Sequence, residues 1–149
     1  MQQYNHYIDG HHAPPQGGAW FDSHNPFTGE PWARIAQGNA VDADLAVQAA
    51  HHAFSSGDWP RFTATQRGAL LHRVGDLIAR DAQRLAETEV RDNGKLLAEM
   101  LGQLNYIPQW FRYFGGLADK IEGSVIPLDK KGYFNFTRNE PLGVVVAIT

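Results

Sequence analysis

The side chains in this sequence that could do chemistry are few, and most stand in the wrong company. Two histidine pairs, His11-His12 and His51-His52, have the residue type of a metal ligand. Adjacent residues on a strand or helix point to different faces, so neither pair converges on an ion, and both read as surface histidines. Gly17-Gly18 and Gly115-Gly116 do not extend to the G-x-G-x-x-G spacing that lets a backbone approach a pyrophosphate, and Gly94-Lys95 lacks the Walker spacing. Cysteine is absent, which removes thiolate nucleophiles, thiolate metal sites and disulfides together. H-E-x-x-H and G-x-S-x-G are absent too, so hydrolytic chemistry has no residues to work with. What remains is aromatic: Tyr106, Trp110, Phe111, Tyr113 and Phe114 surround Pro108 and could wall a ligand tunnel. Phe111 and Phe114 fall on a helix stripe and read as plain core, whereas Tyr106 and Trp110 lie on its flanks and fit either reading.

The element that would organise a site lies at the carboxyl end. After Pro141 and Gly143, the run Val144-Val145-Val146-Ala147-Ile148 predicts a strand buried on both faces, of the kind found inside a parallel sheet. Ligands of open α/β sheets gather beyond the carboxyl ends of the strands, so Ile148 and Thr149 are expected to line a site whose other walls lie outside this sequence. Upstream, Tyr7–Gly10, a segment from Trp20, the turn Asn25-Pro26-Phe27-Thr28-Gly29-Glu30 and Trp32–Ala36 predict a small antiparallel ribbon. Helical spacing follows, with Asp42 or Asp44 as the first cap and a stripe of Val41, Leu45, Ala49, Ala53 and Phe54. Beyond Trp59-Pro60, Thr63 or Thr65 caps a second helix, Asp81 restarts it and Gly94 stops it. The longest helix is expected from about 95 to 120, kinked or broken near Pro108. Val125–Arg138 then reads as a hairpin with apolar residues on both faces, suited to pairing with another chain's sheet edge.

With 43% apolar and 19% charged residues among 149, the composition is that of one ordinary globular domain. A net charge of −3 calls for neither nucleic acid nor an anionic membrane surface. The first twenty residues lack the apolar core of a secretory signal, and no stretch approaches the ~20 apolar residues of a membrane span, so a cytoplasmic location is expected. Asn135-Phe136-Thr137 spells a glycosylation sequon and reads as strand.

Several pieces, in order, resemble a known family. Asn25-Pro26-Phe27-Thr28-Gly29-Glu30, Trp59-Pro60, Arg67-Gly68-Ala69-Leu70-Leu71, Asp92-Asn93-Gly94-Lys95, Arg112-Tyr113-Phe114-Gly115-Gly116, Ala118-Asp119-Lys120 and Glu140-Pro141-Leu142-Gly143-Val144-Val145 are similar to the amino-terminal third of NAD(P)-dependent aldehyde dehydrogenases. The resemblance spans nearly the whole chain. It implies an α/β fold in which a helical layer with antiparallel hairpins leads into the first strand of a doubly wound, Rossmann-type parallel sheet. Residues 1–122 would be the amino-terminal part of the cofactor-binding domain, 123–140 the bridging and oligomerisation hairpin, and 141–149 the first cofactor-domain strand.

The resemblance also implies a chemistry: a Cys thiolate attacks the aldehyde, hydride leaves the thiohemiacetal for the nicotinamide of NAD or NADP, and a Glu-activated water releases the acid. The family's nucleophile, base and cofactor glycines correspond to nothing before Thr149, so no catalytic residue is assigned and the chain by itself is expected to be inert. By the same resemblance Ile148 and Thr149 touch cofactor, Ser23, His24 and Asp92 match a structural monovalent-cation site of some members, and Tyr106 lies on the substrate-entrance helix. Asp92 fits equally a helix-end residue bonding local backbone. Arg91 departs from the apolar residue common at its position. The implied partners are a small-molecule aldehyde and further copies in a dimer or tetramer, with no nucleic acid and no membrane. The competing expectation is a stand-alone, non-catalytic assembly module that augments a partner's sheet.

Overall fold

The fold is described from a computed structural model covering residues 1–148. Five short strands open the chain: β1 (Gln2–Tyr4), β2 (His6–Ile8), β3 (His11–Ala13), β4 (Trp20–His24) and β5 (Pro31–Ala36). A two-residue turn joins β2 to β3, with Asp9 at φ 52° and Gly10 at φ 77°, the positive pair that matches the right-handed twist of a hairpin. The second hairpin, β4–β5, closes through the Asn25–Glu30 turn. There the Asn25 side chain accepts the Phe27 N–H at 2.9 Å, and Gly29 takes φ 74°. The expected ribbon is therefore only part of the arrangement. β1 pairs in parallel with β5, giving a mixed sheet in the order β1-β5-β4, while β2–β3 forms a sheet of its own. Gln2–Tyr4 carries no period-two apolar signal, and only the free edge of β5 makes it a strand.

Four helices follow: α1 (Ala40–Ser55), α2 (Ala64–Arg80), α3 (Ala82–Asn93) and α4 (Leu97–Leu117), with a 3₁₀ turn at Trp59–Arg61. Asn39, not Asp42 or Asp44, caps α1, because Asp42 occupies the third helical position and returns a bond to the Asn39 backbone in a capping box. Thr63 and Gln66 make the same box on α2. Asp81 ends α2 and precedes α3, and Gly94 closes α3 at φ 75°.

Of the kink or break expected at Pro108, the break is absent: α4 runs continuously through it. Pro108 is fully buried where α4 crosses α2, and a Cβ added to Gly75 would lie 3.2 Å from its carbonyl oxygen. The two backbones approach closely there and leave little room for a side chain at position 75. Arg112 and Asp76 join the same two helices at 3.0 Å.

Among the described residues, the larger-than-glycine apolar residues buried outright are Pro15, Ala33, Ala36, Ala82, Ala86, Met100 and Pro108. Val41 and Leu45, read as the inner stripe of α1, are exposed, as is Phe114. Accessible surface totals 11471 Å², against about 7,600 Å² for a compact monomer of this mass. α4 packs on α2 and α3, whereas α1 leaves its apolar stripe open.

The carboxyl-terminal expectations meet the structure unequally. Val125 bridges Phe136 antiparallel, and Thr137 N–H donates to the Ser124 carbonyl at 2.8 Å, so the hairpin exists but is held by a single bridge. Residues 144–148 are not a strand, and Val145 and Val146 are exposed. A strand is a property of paired backbones, and among the described residues this run has no partner.

Asp81 carries the largest electrostatic perturbation. Bidentate hydrogen bonds from Arg80 at 2.9 Å, reinforced by Arg84 at 3.2 Å, lower its carboxyl from 3.8 to about 2. A carboxylate so depressed stabilises the fold above pH 3.8 and stops doing so as pH falls through about 2. The urea midpoint is expected to fall between those two pH values, and Asp81→Asn to remove part of that fall. An identical fall in the variant would show that Asp81 contributes nothing.

Candidate functional site

The residues singled out from the sequence divide into one group that the fold assembles and two that stand apart. Ser23 lies near the end of β4, beside a register irregularity at Ser23/His24, and Asp92 lies in the last turn of α3. Sixty-nine residues apart in sequence, they meet: Ser23 Oγ donates to Asp92 Oδ1 at 2.5 Å. Trp32 on β5 donates its indole N–H to the same Ser23 oxygen at 3.0 Å. The hydroxyl therefore accepts from one side and donates to the other, a relay that points its proton at the carboxylate.

Two packing contacts hold this junction. Gly94, in the left-handed conformation that ends α3, lies against Pro26 of the β4–β5 turn, with a hypothetical Cβ only 3.1 Å from the Pro26 Cβ. Arg91 lays its guanidinium over the Trp32 ring at 5.6 Å, and Tyr4 meets the same ring edge-on at 5.9 Å. An open groove of about 450 Å³, lined by Asn25, Phe27, Val90, Arg91, Gly94 and Leu97, runs alongside. His24 is exposed, and among the described residues no three His, Cys, Asp or Glu side chains come together to hold a metal ion. The sequence did not single out Trp32 as a site residue. Its only signal is an indole donor two residues beyond the turn, where a strand hydroxyl waits across the ladder.

Tyr106 projects from the outer side of α4, 60% exposed, and packs edge-to-face on Trp110 at 5.9 Å. Both stand on the face away from Pro108, so the flanking aromatics form an open ridge while Phe111 turns partly inward against Gly75. Ile148 is 93% exposed, and Thr149 lies outside the described residues. A further groove, about 830 Å³, lies elsewhere, between the Trp59 turn and the 139–143 segment, lined by residues that include Trp59, Arg67, Ile121 and Glu140.

A second polar cluster went unread in the sequence. Asp42, only 5% exposed, accepts the Gln16 amide at 3.0 Å and the Asn39 amide at 2.9 Å, and these two bonds, in that order, hold its carboxyl below the usual range. The Asn39-x-x-Asp42 spacing of a capping box would have found half of it.

Comparison with known proteins matches most of the chain. The family model described as "Aldehyde dehydrogenase family" matches residues 12–149. An Acinetobacter baylyi (Z)-2-((N-methylformamido)methylene)-5-hydroxybutyrolactone dehydrogenase is 45% identical over 148 residues, which are 99% of this chain and 30% of that protein. The mitochondrial aldehyde dehydrogenase of Rattus norvegicus is 45% identical over 126 residues, 83% of this chain and 24% of the relative. The NAD+ complex of a Bacillus cereus aldehyde dehydrogenase superposes with a TM-score of 0.90 at 34% identity, covering 95% of this chain and 29% of that one. The chain thus spans three tenths or less of the length of these relatives. Because the family model matches residues 12–149 and the backbone superposes over 95% of the chain, the chain belongs to the aldehyde dehydrogenase family.

Proposed function

We propose that the protein carrying this sequence oxidises a small-molecule aldehyde to a carboxylic acid with NAD or NADP, and that residues 1–149 supply its scaffold rather than its reacting groups. The observation that carries this reading is the family-model match over residues 12–149, together with the superposition of 95% of the chain on an aldehyde dehydrogenase in its NAD+ complex at a TM-score of 0.90. Two features of the chain agree with it. Without cysteine it lacks the family's nucleophile, and its surface excess leaves helix faces that further protein would cover.

When bound, the nicotinamide supplies a hydride acceptor. The chain's own residues would contribute around it: Ile148, open at the carboxyl end, offers an apolar contact, and Thr149 would follow it. Tyr106 and Trp110 would give an approaching aldehyde a rigid aromatic edge. Residues 1–122 would form the amino-terminal part of the cofactor-binding domain, 123–140 the bridging hairpin of a dimer or tetramer, and 141–149 the first cofactor-domain strand, which gains its ladder once neighbours are present. Exposed Phe134 and Phe136 on the hairpin suit such pairing. The Ser23 and His24 backbone with the Asp92 carboxylate would hold a monovalent cation, the Ser23 hydroxyl fixing the carboxylate's orientation. The cytoplasm is the proposed location, and no helix among the described residues is long and apolar enough to cross a membrane.

The test is to express the open reading frame containing this sequence and to follow NAD(P) reduction with short, long and aromatic aldehydes, beside residues 1–149 alone. Turnover is expected from the former, and neither turnover nor a calorimetric NAD titration from the latter. A folded product of the reading frame that reduces neither cofactor with any aldehyde class would refute the proposal.

A further inference from the structure

We infer that His6 and Asp42 form a proton-operated clasp between the amino-terminal ribbon and α1, closing when His6 takes up a proton. His6 opens β2, and its Nε2 is shut off from solvent without a hydrogen-bond partner among the described residues. The facing group is Asp42 Oδ1 at 3.8 Å, too far for a hydrogen bond and within reach of a small ring movement. Gly38 backs the imidazole: a Cβ there would come 3.3 Å from the ring Cε1, so the ring has little room to turn elsewhere.

Asp42 is already the knot of this corner. Its two oxygens hold the Gln16 amide of the loop between β3 and β4 and the Asn39 amide at the start of α1. Those bonds favour the charged carboxylate, so it stays ionised while histidines titrate, ordinarily near pH ~6.5. A neutral imidazole with its hydrogen on Nδ1 sets the Nε2 lone pair against the carboxylate, and one with its hydrogen on Nε2 offers only an uncharged donor. A protonated one donates from both nitrogens, and its Nε2–H faces an anion in a water-poor corner, where a charge-assisted bond is strongest. Proton uptake therefore draws β2 toward α1 and steadies the Gln16 and Asn39 amides on the same carboxylate. The sign follows: the clasp is closed on the acid side of histidine titration, opens as pH rises through it, and fails again only where Asp42 itself is protonated.

Other charged groups nearby are engaged elsewhere. Asp44 on α1 accepts from Gln48 at 2.6 Å. On β3, His12 stacks on Tyr7 at 5.2 Å and His11 pairs in register with Ile8. The loop before α1 faces the ring with Gly38 and Asn39, both uncharged. Because His11 and His12 lie on the adjoining strand, a pH profile alone does not isolate His6.

Hydrogen–deuterium exchange of the protein carrying this sequence, followed by mass spectrometry on peptides that include Gln16 and Asn39 and corrected for intrinsic exchange, isolates it. Between pH ~8 and pH ~5.5 protection of these amides is expected to rise about fivefold. His6→Gln, neutral at both values and similar in reach, is expected to abolish the rise, while His12→Gln keeps it. Equal protection at the two pH values in the parent sequence, or a rise that survives H6Q, overturns the clasp.

Discussion

Gly68→Ala is expected to destabilise the helical layer by about 2 kcal/mol, while Gly102→Ala stabilises it by up to ~1 kcal/mol. Both are glycines within helices, so propensity favours alanine at each to the same degree. The difference lies in what a methyl group would meet. At Gly68, buried on α2, the new Cβ would lie 2.5 Å from the Gly115 carbonyl oxygen on α4, which is backbone and cannot rotate away. Gly115 reciprocates, its own Cβ falling 2.9 Å from the Gly68 carbonyl. Seven residues along α2, Gly75 repeats the arrangement against Pro108. The two helices are therefore packed backbone to backbone at two points, and a methyl group at position 68, the tighter of them, must push them apart along the seam. Gly102 on α4 has nothing within 4 Å of its would-be Cβ. Urea midpoints of the two variants, at unchanged m-values, decide the matter: equal shifts would mean that the seam is not where the stability of this layer resides.

Much of this was readable from residue order because the signals involved are local. Thr63 and Gln66 close their box within four residues, Gly94 stops α3 within its own backbone, and Asn25–Glu30 makes its turn with its own side chains. The resemblance succeeded for a related reason, since the pieces that carry it are mostly such turns, stops and close-packed glycines. What escaped was whatever depends on a partner distant in sequence. Gln2–Tyr4 became a strand only because β5 offered an edge, and the burial of Pro108 against Gly75 depends on how α2 and α4 cross. The valine run had the right composition for a strand and, among the described residues, nothing to pair with. Ser23 and Asp92 were named together through the resemblance, whereas Trp32, which completes their relay, needed the ladder register to be seen. Burial failed most clearly on α1 and at Phe114: a helical stripe states which face is apolar, and what covers that face is a separate fact.

Gly94→Ala is expected to cost about 2 kcal/mol, from two separable causes. Gly94 holds φ 75°, where an L side chain is strained, and its Cβ would approach the Pro26 Cβ to 3.1 Å. Gly132→Ala measures the first cause alone, because Gly132 holds φ 81° with nothing within 4 Å of its would-be Cβ, and about 1 kcal/mol is expected there. A double-mutant cycle with Pro26→Gly measures the second: removing the proline carbons should return about 1 kcal/mol to the alanine variant as coupling energy. The contact matters beyond stability, since Pro26 follows Ser23 by three residues and Gly94 follows Asp92 by two. Any displacement at this point is transmitted to the 2.5 Å hydrogen bond between Ser23 and Asp92, and through Ser23 to the Trp32 indole. The exchange rate of the Trp32 indole N–H should therefore rise in Gly94→Ala and stay unchanged in Gly132→Ala. A cycle with no coupling, or an indole indifferent to both variants, would show that the turn and the helix stop are neighbours without being mechanically joined.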